Sequence, residues 1–123
     1  MNLVITAAAI SLLQSGAAAN TQVDVAVDEL VAQQNREAIV RIEANDALDV
    51  REPSRLINLG VAFAREGQID KARALFEAVA RSETRERLET ANGEWIDSKR
   101  LAYRALAALD SGELGGKMRV ASR

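Results

Sequence analysis

The sequence predicts an all-α domain, and three observations carry that prediction. Aromatic residues make up only 3% of the chain, while Ala and Leu dominate an apolar content of 48%. Small and unbranched apolar side chains suit closely packed helices better than a sheet. One proline and seven glycines leave little turn chemistry for an all-β fold. Apolar residues also recur at three- and four-residue steps along most of the chain, the period of a helix with one buried face.

The elements follow in order. Val23, Val25 and Val27 alternate with polar or small residues; without a partner strand, this stretch reads as an extended lead-in to a helix starting near Asp24 or Asp28. Leu30 and Val31 sit in that short helix, and residues 33–35 make a turn, with Asn35 as N-cap of the next helix. Ala38, Ile39 and Ile42 share one face of it, and residues 46–52 form a polar connector. Pro53 occupies the first position of the following helix, where its missing N–H costs nothing. Leu56, Ile57, Leu59, Gly60, Val61, Phe63 and Ala64 then cover nearly the whole circumference, so this helix is central. Gly67 ends it as a left-handed cap. Ile69, Ala72, Leu75, Phe76 and Val79 define the next helix, with Lys71, Arg73, Glu77 and Arg81 outside. A further helix is expected over residues 82–91, stopping at Asn92–Gly93. The last begins at the cap pair Asp97–Ser98, buries Leu101, Ala102, Ala105, Leu106 and Leu109, and closes at Ser111–Gly112. Residues 20–112 are thus the helical domain, and residues 113–123 a flexible tail.

Residues 1–19 contain no charged side chain. An apolar run through Ile10 and Leu13 is broken by Gln14–Ser15–Gly16, and Ala17–Ala18–Ala19 follows. That order is expected of a secretory signal peptide cut after Ala19, which places the mature protein in the periplasm or outside the cell. The rival readings are an apolar first helix and a short membrane anchor, although a spanning helix needs about twenty apolar residues.

Charge excludes several functions. A formal charge of −2 gives no basis for nucleic-acid binding, which favours a clustered basic face. Within residues 99–123, Lys99, Arg100, Arg104, Lys117, Arg119 and Arg123 outweigh Asp110 and Glu113 by +4. A basic end of that kind reads as solvated, or as a contact for anionic lipid if the leader stays attached. The chain has no cysteine and no histidine, which removes disulfides, thiolate chemistry, imidazole metal ligands and the commonest general base. Neither a metal nor a cofactor is called for: Gly112–Gly116 follows a helix instead of opening one, unlike a phosphate loop.

A period runs through the helices. Ala38 and Ala72 are 34 residues apart, as are Ile42 and Phe76. Leu56-Ile57-Asn58-Leu59-Gly60-Val61-Ala62-Phe63, then Gly67, Ala72 and Phe76, resembles the tetratricopeptide repeat, with its Leu-Gly pair, aromatic, turn glycine, small alanine and second aromatic in order. The likeness is specific for residues 53–81. Residues 24–46 lack the Leu-Gly pair and residues 82–110 have a longer turn, so one well-matched repeat has two degenerate neighbours. Small exported bacterial proteins of this architecture are the nearest likeness. The resemblance implies antiparallel helical hairpins stacked in a short array, with Gly60 and Ala72 where two helices cross.

It also implies a non-catalytic protein-binding module whose first helices line a concave groove. Ile57, Asn58, Val61 and Arg65 are the groove-facing candidates. Positions 57 and 61 carry no Lys or Asn of a carboxylate clamp, so an apolar peptide, an amphipathic helix or a second copy of the chain is the expected occupant. The alternative is that neighbouring helices or the C-terminal segment cover the strip. Trp95 is either a binding anchor in the 92–97 turn or a plug for the end of the stack. Glu29, Glu37, Glu43, Asp46 and Asp49 lie near one another without a spacing that places two in one pocket, so no enzyme is expected. A carboxylate hydrolase would require a deep pocket holding two of them.

Overall fold

Two helical hairpins carry the same turn at the 34-residue offset. In the computed structural model, which describes residues 26–114, α1 (Val27–Val31) and α2 (Asn35–Glu43) form the first hairpin. The second consists of α3 (Pro53–Arg65) and α4 (Ile69–Arg81). After α1, the N–H groups of Gln33 and Gln34 donate to the carbonyls of Leu30 and Glu29 at 3.1 and 2.8 Å. After α3, Gly67 and Gln68 donate to Ala64 and Phe63 at 3.0 and 2.8 Å. Both are helix terminations built on a left-handed residue, Gln33 at φ 64° and Gly67 at φ 83°. Gly67 adopts that backbone freely, whereas the Gln33 side chain costs roughly 1–2 kcal/mol there.

This closure corrects one expectation. The N-cap of α2 is Gln34, with no side-chain cap bond, because the termination places Asn35 already inside the helix. The Oδ1 of Asn35 instead accepts from Arg65 Nη1 at 3.4 Å. Pro53 and Gly67 stand where the sequence places them.

Helix α3 is buried on all sides, as its apolar circumference requires, and touches α1, α2 and α4. Gly60 lies directly against the Phe76 ring, so α3 and α4 approach closely at that level. Two arginines of α3 tie it to the first hairpin by capping helix C-termini. Arg55 Nη1 donates to the carbonyls of Ile42 and Asn45 at 3.0 and 3.3 Å, and Arg65 Nη1 to that of Leu30 at 2.8 Å. A cation at the negative end of a helix satisfies carbonyls that have no partner within it.

Residues 82–91 do not form the expected helix. They enter an antiparallel two-stranded sheet, β1 (Arg87–Glu89) with β2 (Trp95–Asp97), in the register Leu88 opposite Ile96. Leu88, Thr90, Ile96 and Ser98 are buried while Arg87 and Trp95 are exposed, a period of two instead of 3.6. Asn92–Gly93 is the hairpin turn: Gly93 N–H donates to the Thr90 carbonyl at 2.9 Å, and Gly93 takes φ 89°. Thr90 Oγ1 donates to Asn92 Oδ1 within it. Among the described residues the fold is therefore mostly helical, in keeping with the helical class expected, with one small two-stranded sheet in place of one helix.

Helix α5 (Ser98–Asp110) starts on the predicted cap, where Asp97 Oδ1 accepts from the N–H groups of Lys99 and Arg100 at 2.8 and 3.3 Å. It packs against α4 and α3, burying Leu101, Ala102, Ala105 and Leu109. Leu114, two residues past the boundary drawn at 112, is buried with the core. The leader with its cleavage point after Ala19, the lead-in before Ala26 and the basic residues beyond Leu114 lie outside the described residues.

Candidate functional site: a charged cleft at the end of the central hairpin

Because α3 and α4 run antiparallel, the start of one meets the end of the other. A cleft of about 680 Å³ opens there. Pro53 and Leu56 of α3 and Ala78 and Val79 of α4 give it apolar walls. Two connectors rim it, residues 49–52 ahead of α3 and residues 82–86 after α4.

Each connector is held by local bonds. Asp49 Oδ1 accepts from the Arg51 N–H at 2.7 Å, and the Glu52 N–H donates to the Asp49 carbonyl at 3.0 Å, which turns the chain into α3. On the other side Ser82 Oγ accepts from Thr84 N–H at 3.0 Å. Glu86 is fastened to the start of α5: its N–H donates to Ser98 Oγ at 3.1 Å, and its carbonyl accepts from Ser98 N–H at 2.8 Å. Arg85 pairs with Asp97 at 2.8 Å alongside. Burial disfavours ionisation of Asp97, but hydrogen bonds from Arg85 and from the Arg100 and Lys99 amides outweigh it and hold its carboxyl below the usual range.

Glu52 on one connector and Glu86 on the other both line the cleft. Burial is the largest influence on Glu52, followed by the negative charge and hydrogen bond of Glu86 and then by the charge of Asp49. Together they push the Glu52 carboxyl from its ordinary 4.5 up to about 7. Arg81 does not cancel this charge: it is largely exposed and pairs with Glu77 at 3.6 Å.

No family model, curated protein or solved structure matches this chain. What the cleft can do must follow from its own groups. An apolar wall with charges of both signs at the rim, Asp49 and Glu83 with Arg51 and Arg81, is the composition of a surface that buries part of a polypeptide. The Glu52 carboxyl, held protonated up to near neutrality, is in addition able to give and take a proton.

The residues singled out in the sequence lie elsewhere. Ile57, Asn58 and Val61 each have 0% exposure, because α3 is enclosed by its neighbours, so they form core and not an open groove. Arg65 is spent on the Leu30 carbonyl and Asn35. Burial pushes its guanidinium below its ordinary value. Trp95 sits on β2, 48% exposed on the face opposite Ile96, so it does not plug the helix stack. Of the five carboxylates noted, Asp49 alone lines the cleft, and Glu29 pairs with Arg41 at 2.5 Å. Among the described residues no group of three or more carboxylates could hold a metal ion.

Glu52 and Glu86 were not legible as a pair from local spacing, but a signal exists. They are 34 residues apart. Each immediately precedes the point where a repeat's first helix begins or, at Arg87, is replaced by a strand.

The raised Glu52 value makes stability depend on pH. An acid whose folded value exceeds its unfolded one contributes stability fully below about 4.5, and that contribution is lost as pH rises through about 7. The full linkage amounts to about 3 kcal/mol, which water at this half-open site screens to on the order of 1–2 kcal/mol. Urea unfolding at pH 5 and pH 8 is expected to show that decline, and Glu52→Gln to remove it. An unchanged pH dependence in the variant would place the titrating group elsewhere.

Proposed function

We propose that this protein is a non-catalytic binding module of the bacterial cell envelope, in which the cleft between Pro53, Leu56 and Val79 takes a segment of a protein partner. The observation that carries the proposal is the cleft itself: an open, apolar-walled recess with a polar rim, of a size that accepts a few residues of extended chain. The resemblance of residues 53–81 to the tetratricopeptide repeat supports it, since that family binds polypeptides. So do the two hairpin turns in the same 34-residue register. Export rests on the apolar leader and the Ala17–Ala18–Ala19 cleavage pattern. If the leader is retained, the protein is a membrane-associated accessory subunit with its basic end at anionic lipid. Among the described residues no helix is long and apolar enough to cross a membrane, so such an anchor rests on the leader.

Photo-crosslinking tests the site. A photoreactive residue at Thr84, on the cleft rim, is expected to give one discrete polypeptide adduct in the envelope fraction, and one at Glu37, on α2 away from the cleft, none. Equal labelling from both positions, or none from either, rules out the cleft as the binding surface.

A second reading is favoured by the raised Glu52 carboxyl on the cleft that Glu86 also lines: Glu52 as general acid and Glu86 as base of a hydrolase. It requires turnover of model glycoside or ester substrates that Glu52→Gln abolishes. The binding module instead keeps its adduct in that variant.

A further inference from the structure

The two-stranded sheet leaves the outer edge of β1 open. In its ladder the Thr90 N–H donates to the Glu94 carbonyl and the Ser98 N–H to the Glu86 carbonyl, both at 2.8 Å. These pairs flank Leu88 opposite Ile96 in one continuous register. Residues 86, 88 and 90 therefore turn their backbone groups towards β2, and Arg87 and Glu89 turn theirs away from it. Among the described residues no further strand lies beside β1, and the N–H and C=O groups of Arg87 and Glu89 meet no hydrogen-bond partner. Strand β2, by contrast, is packed on by α5, with Glu94 paired to Arg104 at 3.2 Å. We propose that the β1 edge is a self-recognition surface: β1 of a second copy pairs with it antiparallel about a two-fold axis and joins the two hairpins into one sheet.

The residues on the edge choose the partner. Centred on Leu88, an antiparallel pairing sets Arg87 opposite Glu89 of the second copy, and Glu89 opposite its Arg87. Both residues have outward backbone groups, so reciprocal N–H···O=C bonds close on either side of the axis. Directly opposed side chains share a face of the sheet. Arg87 and Glu89 lie on the face away from buried Leu88, and neither forms an ion pair among the described residues. Each therefore meets an opposite charge that its own chain does not supply. An unrelated extended segment gains the backbone bonds alone, whereas Arg87-Leu88-Glu89 read in reverse is its own charge complement. The same charges fix the register: a slip of two residues sets arginine on arginine or glutamate on glutamate, which is repulsive. Charges on an edge strand ordinarily discourage pairing; here their alternation selects a second copy. Strands this short make a small contact, so the pairing is weak, with a Kd on the order of 0.1–1 mM.

This edge is separate from the cleft and does not depend on what the cleft binds. Sedimentation equilibrium of the full-length protein, from roughly a tenth of that Kd to ten times it, is expected to show monomers in equilibrium with dimers. Glu89→Arg sets arginine against arginine on both sides of the axis and is expected to weaken pairing by about tenfold or more. Arg87→Glu sets glutamate against glutamate and is expected to do the same. Mixing the two variants is expected to restore association as a one-to-one heterodimer, because one brings two arginines to the edge and the other two glutamates. The double exchange within one chain is expected to pair as the parent does. Arg87→Glu also stands opposite Asp97 in its own hairpin, so circular dichroism checks that it folds. If it does not, Glu89→Arg, which stands opposite Trp95, decides the matter together with the parent. A parent protein that stays monomeric throughout, a folded Glu89→Arg variant that associates as strongly as the parent, or folded variants that do not combine on mixing overturns the proposal.

Discussion

Gly60→Ala is expected to destabilise the protein by on the order of 2 kcal/mol, although alanine is the better helix former. In an exposed helix that exchange gains about 1 kcal/mol. Here a Cβ at position 60 falls on Phe76 Cε1 and 2.8 Å from Cδ1 and Cζ. Phe76 is fully buried, so its ring cannot swing aside into solvent. Helices α3 and α4 must separate or the ring must leave its rotamer, and overpacking of this kind typically costs about 1–3 kcal/mol beyond what propensity returns. Urea unfolding followed by Trp95 fluorescence or helical circular dichroism reads the change directly. A Phe76→Leu partner variant completes the cycle: shortening the ring should make the alanine much less harmful, a coupling that contacting residues show and distant ones do not. A net gain of stability in Gly60→Ala would mean that the two helices do not touch at this level.

Ile57→Asp combined with Val61→Asp is expected to unfold the protein outright. Each side chain is completely enclosed, and each replacement exchanges buried apolar surface for a carboxylate without a partner. A single change of this type costs on the order of 4 kcal/mol or more, and small domains are stable by only about 5–15 kcal/mol in total. Loss of the helical signal and of any cooperative melt is the expected outcome. If these residues lined an open groove, the double variant would fold with nearly unchanged stability, because exposed substitutions lie within about 0.5 kcal/mol. The same measurement therefore tells core from groove.

The helices most readily recognised were those whose determinants are local. Pro53 at a first position, Gly67 in the left-handed region and Asp97 as a cap act within a few residues of themselves, and each stands where the sequence implies. The sheet is hard to recognise in the sequence for the same reason in reverse. Strands of three residues present too few alternations to register as a period, and Asn92–Gly93 serves equally as a helix stop and as a hairpin turn. The decision fell to burial: pairing Leu88 with Ile96 places both, with Thr90 and Ser98, on the inner face. The all-round apolar pattern of α3 correctly implied a central helix, and that very centrality removes Ile57, Asn58 and Val61 from any surface.

The sequence by itself determined where α3 begins and ends, where α5 begins and that α3 lies inside, since periodicity, caps and turn residues are short-range properties of the backbone. Only the tertiary structure decided which surface remains open and which carboxyls line one cleft. Glu52 and Glu86 reach the same cleft because an antiparallel hairpin returns the chain to its starting end and a strand replaces the next helix there. Proximity between groups so far apart along the chain depends on how whole elements pack.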